Sequence, residues 1–262
     1  MADRLEPYRV QAYNSARASE NKMHDDATAR KFGFRGGLVP GVDVMAYMMH
    51  LPVERWGRAF LERGLIEARF IKPVYDGEIV EVTAEDIDGG LVLRIEAEGQ
   101  PCATGTASLP VAPPSVSIEN FPHTAAVATR MPVDAMSFAL DKRLGTLPRS
   151  CPVGYLAEVR ERDPIYTREK LVHPGVLQRI MNKVLVDNAI LGPWIHVGSR
   201  MQLLAAAASG DELVARARVT ANYEKKGHRF VELDAIVVAN GHTAVAHCEH
   251  VAIYQPREQA PA

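Results

Sequence analysis

One spacing runs through this chain. Pro40-Gly41 returns 134 positions later as Pro174-Gly175, Gly64 as Gly198, and Glu78-Ile79-Val80 as Glu212-Leu213-Val214, with no gap between the three landmarks. Self-similarity at a fixed offset means two copies of one supersecondary unit. In the first copy, Val42, Met45, Ala46 and Met49 fall at helical spacing after Gly41. Pro52 reads as a break that opens a second short helix to about Arg63. Strands follow over Leu65–Pro73, Glu78–Asp86, Leu91–Glu98 and Cys102–Leu109, with Asp88-Gly89-Gly90 as a hairpin turn. The second copy reads likewise: a helix over Val176–Ile190, a turn at Lys225-Lys226-Gly227-His228, and strands over Phe230–Val238 and Thr243–Tyr254. Tyr8–Asn14 and Tyr155–Arg162 are the expected first strands of the two copies. Pro110–Pro152 is proline-rich and weakly periodic, so it reads as the connection, with a short helix near Val133–Leu140. The division is residues 1–110, 111–152 and 153–262, the chain ending in a frayed tail from Gln255.

One helix lying across one antiparallel meander buries a single sheet face. Two such units can pair their sheets edge to edge and enclose both helices, an α+β double hot-dog. The copies are expected to differ in one place. Asn14 to Pro40 is 26 positions, whereas Glu161 to Pro174 is 13. The extra residues in the first copy would then be an insertion that serves function rather than the shared core.

Composition removes several alternatives. Net charge is −2 with no basic cluster, which argues against nucleic acid. No apolar run reaches the roughly 18–20 residues of a bilayer span. The N-terminus lacks the basic start and apolar core of a signal peptide. Cys102, Cys151 and Cys248 match no zinc or disulfide spacing. They read as reduced structural thiols of a cytoplasmic protein, and no metal or redox cofactor is implied.

The chemistry concentrates between Ser19 and Gly41. Ser19-Glu20-Asn21-Lys22-Met23-His24-Asp25-Asp26 precedes a glycine-rich turn, Gly33 to Gly41, that opens the first helix. A helix start offers unpaired N–H groups to an oxygen that becomes negative. His24 is the side chain suited to proton transfer near neutrality. This stretch resembles the MaoC-like (R)-specific enoyl-CoA hydratase/dehydratases, whose Asp-x-Asn-Pro-x-His precedes a Gly-rich turn. Asn21 and His24 match at the right spacing and Gly41 matches the helix start. Ser19 stands where the family has its catalytic Asp, Lys22 replaces its Pro, and Pro40 replaces a His. The resemblance implies hydration of an enoyl thioester on coenzyme A or acyl carrier protein, with His24 as acid/base, Asn21 as orienter and the Gly41 N–H at the thioester oxygen. Ser19 cannot replace a carboxylate base.

Around this motif, Arg35 and Lys31 are candidates for phosphate oxygens, although solvated surface charge is the simpler reading. Gly37 belongs to the turn. Met45, Met48 and Met49 line either the core or an acyl tunnel, and His196 follows Trp194 on a strand that can line the same tunnel. Asp25 and Asp26 read as acids at a helix start. His173 reads as a structural His-Pro-Gly turn, and His247 and His250 have opposite strand parity, which makes no metal pair. A thioesterase is the second enzymatic reading, with Asp43 or Asp187 as the carboxylate. A non-catalytic acyl-ligand-binding protein is the third, favoured by Ser19. Hot-dog units also imply a homodimer.

Overall fold

The structure, a computed structural model, describes residues 5–112 and 115–257. The first residues, Pro113 and Pro114 of the connection, and the end of the tail lie outside the described residues. In chain order the elements are β1 (Tyr8–Gln11), α1 (Asp26–Lys31), α2 (Gly41–Trp56), α3 (Arg58–Arg63), β2 (Leu65–Phe70), β3 (Ile79–Ile87), β4 (Gly90–Ala97) and β5 (Gln100–Ser108). Then come β6 (Arg143–Gly145), α4 (Tyr155–Glu158), α5 (Ile165–Arg168), α6 (Pro174–Val186), β7 (Ile195–Leu203), β8 (Leu213–Lys225), β9 (His228–Ala239) and β10 (Thr243–Gln255).

All ten strands join one antiparallel sheet in the order β1-β3-β4-β5-β2-β7-β10-β9-β8-β6. The copies meet at β2 and β7, paired from Leu65↔Gln202 to Arg69↔Gly198. A glycine is required at that seam: a Cβ on Gly198 would stand 2.7 Å from the Ala68 carbonyl oxygen. The alternation in β4 is legible in the burial of Leu91, Leu93, Ile95 and Ala97 against exposed Arg94 and Glu96. The sheet wraps α2 and α6, which pack on each other and carry Met45, Met48, Met49, Ile180 and Met181 into the core. This is the double hot-dog architecture.

Three expectations are corrected. Pro52 does not break the helix: α2 runs to Trp56 and ends at Gly57, whose φ of 54° suits glycine. Leu51, Pro52 and Val53 are all buried, so packing carries the helix past the missing N–H. Val133–Leu140 forms turns rather than a helix. The second copy's outer strand is β6, not Tyr155–Arg162, which instead contains the short helix α4.

This last correction removes the supposed insertion. Gln11 and Gly145 end β1 and β6, each 29 positions before its proline, Pro40 or Pro174. The 134-residue offset therefore holds from the outer strand through the helix. The copies differ in what fills an equal length of chain. In the first it is the motif segment and α1, and in the second it is α4 and α5. A Cβ on Gly175, at the start of α6, would stand 2.0 Å from the Tyr155 hydroxyl. That helix start is filled by a phenol.

Candidate functional site

The motif segment is fastened at nearly every polar atom. Asn21 Oδ1 accepts the N–H groups of Met23 and Trp194, each at 3.1 Å. Its Nδ2 donates to the Trp194 carbonyl at 3.0 Å and lies 3.2 Å from His24 Nε2. Asn21 thus caps the turn Lys22–His24 and ties it to the second copy. Asp25 caps α1 through Thr28 N–H at 2.9 Å, as an acid at a helix start should. Asp26 accepts Gly37 N–H at 2.7 Å and so holds the glycine turn. Gly37 has a steric reason to be glycine, since its Cβ would come within 2.2 Å of the His24 carbonyl oxygen.

His24 Nδ1 lies 2.7 Å from the Leu38 carbonyl, which can only accept. Nδ1 therefore carries the proton, and Nε2 presents its lone pair toward Asn21. Burial lowers the His24 pKa, with the Leu38 carbonyl and the Asp43 charge opposing it in part. The ring is neutral at pH 7.

Two spaces meet at this imidazole. A narrow cavity of about 210 Å³ is lined largely by apolar side chains, including Met23, Phe34, Leu38, Val44, Phe70 and Ile195. Gly41 and His196 also line it. A wider groove of about 910 Å³ is lined by Ser15, Ser19, Glu20, Arg130, Arg149, Arg179, Lys183 and Asp187. Asn21, His24, Pro40, Asn182 and Trp194 belong to both. At the junction α2 begins. The Pro40 carbonyl accepts Asp43 and Val44 N–H. The Gly41 N–H takes no partner among the described residues.

The predicted residues divide. His24, Asn21, Gly41 and His196 come together at the cavity. Ser19 lies in the groove, its hydroxyl donating to the Asn21 carbonyl at 3.3 Å, one step removed from the imidazole. Arg35 lies elsewhere: its guanidinium contacts Glu78 and Glu98 and stacks over Tyr75 at 4.2 Å. Lys31 lines neither space. Gly37 supports the His24 backbone rather than touching the cavity, and Met45 is fully buried in the core.

Both helix carboxylates are engaged. Asp43 is completely buried, with Arg179 Nε and Nη2 each at 2.8 Å and the Ser15 hydroxyl at 2.5 Å. Asp187 receives both Arg149 Nη atoms, at 2.7 and 2.8 Å, and the Leu147 N–H. His173 caps α6 through Gly175 N–H, His247 pairs with Asp234, and His250 belongs to a buried network with Ser199. Sequence reasoning missed Asn182 and Lys183. Their signal was a polar pair, adjacent in sequence, in a helix whose other residues are mostly buried.

The comparisons agree with the fold. A double hot-dog protein from Mycobacterium tuberculosis superposes with a TM-score of 0.63 at 13% identity, covering 96% of each chain. A protein of Chloroflexus aurantiacus assigned to the MaoC-domain dehydratases superposes at 0.62 and 10% identity, over 97% of this chain and 94% of its own. One of Lactobacillus plantarum assigned as an oleoyl thioesterase superposes at 0.53 and 9% identity, over 98% and 99%. No family model matches the sequence, and no curated protein matches it. The chain is thus similar in fold to MaoC-like dehydratases and to thioesterases alike. Among the described residues no helix is long and apolar enough to cross a membrane, and no group of three or more metal-ligating side chains is found.

Proposed function

We propose that this protein binds an acyl thioester across the junction and catalyses reversible hydration of its 2,3 double bond. One observation carries the reading: a polar groove with one unpaired lysine and an apolar cavity meet at a neutral histidine, and an unpartnered helix-start N–H lines the same cavity. The groove suits the polar carrier arm, whether on coenzyme A or acyl carrier protein. Lys183 is its cation with no carboxylate partner among the described residues; burial, and then Arg149, lower its pKa. The cavity takes the acyl group.

The chemistry needs one proton moved twice. His24 Nε2 releases the Asn21 N–H and takes a proton from water as the water oxygen bonds to C3. The π electrons move through C2 onto the thioester oxygen, which the Gly41 N–H and the start of α2 stabilise. The carbonyl re-forms as His24 returns that proton to C2. HO has then added at C3 and H at C2, and the ring is neutral again. A ring already neutral at pH 7 suits the first transfer.

The test follows the enoyl-thioester absorbance band of trans-2-enoyl-CoA. Loss of the band without thiol release is expected, slower by about 10²–10⁴-fold in His24→Ala with the thermal transition kept. Unchanged turnover in that variant removes His24 from the mechanism. A second reading, binding without turnover, is favoured by two observations. Asn21 occupies His24 Nε2, and no carboxylate lines the cavity among the described residues. Tight binding of enoyl thioesters with no loss of the band would select it. Thiol release, lost on substituting Asp187, would select a thioesterase.

A further inference from the structure

Three arginines line the groove, and each is paired with a carboxylate. Two of these pairs are locked. The side chains of Asp43 and Asp187, the partners of Arg179 and Arg149, are 0% and 8% exposed. Releasing either arginine would strand a buried charge. The third pair is different. The Glu20 side chain, on Arg130, is 71% exposed and can return to water. An exposed pair of this kind adds little to stability.

Its geometry is nonetheless specific. Arg130 Nη1 donates to Glu20 Oε2 at 2.8 Å and Nη2 donates to Oε1 at 3.1 Å, a two-pronged contact between residues 110 positions apart. Arg130 Nη1 also donates to the Val186 carbonyl at the end of α6, at 3.0 Å, which orients the guanidinium. The Glu20 carboxylate takes no other partner among the described residues. The pair thus joins the motif segment, through Glu20, to the connection, through Arg130. Lys183 stands one turn before Val186 on α6 and lines the same groove. Arg130 holds the Glu20 carboxyl below the usual carboxylate range, and Lys183 is near enough to add to the effect.

A guanidinium fork meets two oxygens of a phosphate as it meets those of a carboxylate. A phosphate in place of Glu20 would keep both prongs on Arg130 and gain the charge of Lys183. The only loss would be an exposed ion pair.

Resting on the thioester reading, we infer that Arg130 and Lys183 form a phosphate site in the groove, that Glu20 occupies it while the carrier is absent, and that a phosphate of the carrier arm displaces Glu20 on binding. Calorimetric titration with butanoyl-pantetheine, butanoyl-4′-phosphopantetheine and butanoyl-CoA tests this, since the acyl part is saturated and the same in all three. At least about tenfold tighter binding of a phosphorylated ligand than of the pantetheine thioester is expected. A preference already shown by the phosphopantetheine form assigns the site to the phosphate shared by coenzyme A and acyl carrier protein. One shown by the coenzyme A form alone assigns it to the nucleotide phosphates. Arg130→Met and Lys183→Met should each reduce the preference. Glu20→Gln removes the internal competitor, so it should tighten the phosphorylated ligands by about two- to sixfold and leave the pantetheine thioester unchanged. Equal or weaker binding of the phosphorylated ligands in Glu20→Gln makes the pair a simple staple and overturns the displacement. Equal binding of all three ligands by the wild type overturns the phosphate site while leaving the thioester reading intact. A preference that survives Arg130→Met overturns the assignment to that residue. Binding of none of the three overturns the thioester reading, and this inference with it. The thermal transition of each variant reports its fold, and the wild-type comparison stands without the variants.

Discussion

The ion pair between the two central helices supports a quantitative prediction. Asp43 on α2 is completely buried, and Arg179 on α6 meets both of its oxygens. Arg179 also reaches Glu158 at 2.6 Å and lies over the Tyr155 ring at 4.5 Å. Arg179→Met removes the partner and leaves a carboxylate in the interior with only the Ser15 hydroxyl. Breaking a buried pair on one side costs about 3–5 kcal/mol. For a chain of this size, each kcal/mol moves Tm by roughly 2–4 °C, so a fall of about 6–20 °C is expected. Asp43→Leu with Arg179→Met removes both charges and should recover most of the loss, to within about 1–2 kcal/mol of wild type. Glu158 is a third exposed and can return to water. Scanning calorimetry and urea unfolding of the wild type, both single variants and the double variant complete the cycle. A double variant that loses the sum of the two single losses refutes the reasoning, because the charges would then be acting independently.

Three further outcomes follow. Burial depresses His250 to about 3 and lowers His196 and His24, so the unfolded chain binds these protons first. Their stability contribution is complete above about pH 6.5 and is lost as pH falls toward 3. For His250 alone the full change is about 5 kcal/mol, and the urea midpoint of His250→Phe should fall less between pH 7 and 4.5 than that of the wild type. Gly37→Ala forces the turn away from the His24 carbonyl. It should cost about 1–3 kcal/mol and lower turnover as well, and a variant with wild-type Tm and turnover would show that the turn yields freely. Asn21→Ala strips the Trp194 N–H and carbonyl of their partner and should cost roughly 2 kcal/mol or more, read from the denaturant midpoint; no shift there would show that the motif segment is not anchored through Asn21.

The architecture was legible because the repeat and the strand alternation are statements about burial. Leu91, Leu93, Ile95 and Ala97 alternate in sequence because one face of β4 covers the helices. The errors came where tertiary packing overrode local signals. Pro52 is a helix breaker in isolation, but buried neighbours on both sides hold it in α2. Tyr155–Arg162 resembles a strand, yet its tyrosine is drawn to the start of α6. Of the site, Asn21, His24 and Gly41 could be found because a contiguous motif carries them. Asn182 and Lys183 left only the weaker signal of a polar pair in a largely buried helix, since nothing along the chain records that α6 brings that pair to the groove beside the start of α2. Arg35 and Met45 show the converse. Proximity in sequence to a motif says nothing about which way a side chain faces, and one lies on the surface among carboxylates while the other is sealed in the core.

The phenol at the start of α6 has a consequence for how this chain can vary. In a pair of identical single-unit chains, every substitution appears at both helix starts. Here the seam between β2 and β7 joins two copies that are free to diverge. One helix start is stoppered by Tyr155 and the other is open beside His24. The stoppered copy gives up its own chamber and furnishes the wall of its neighbour's through Asn182, Trp194 and His196. A substitution in that wall therefore appears once, on one half of the chain, and leaves His24 and Gly41 on the other half as they are.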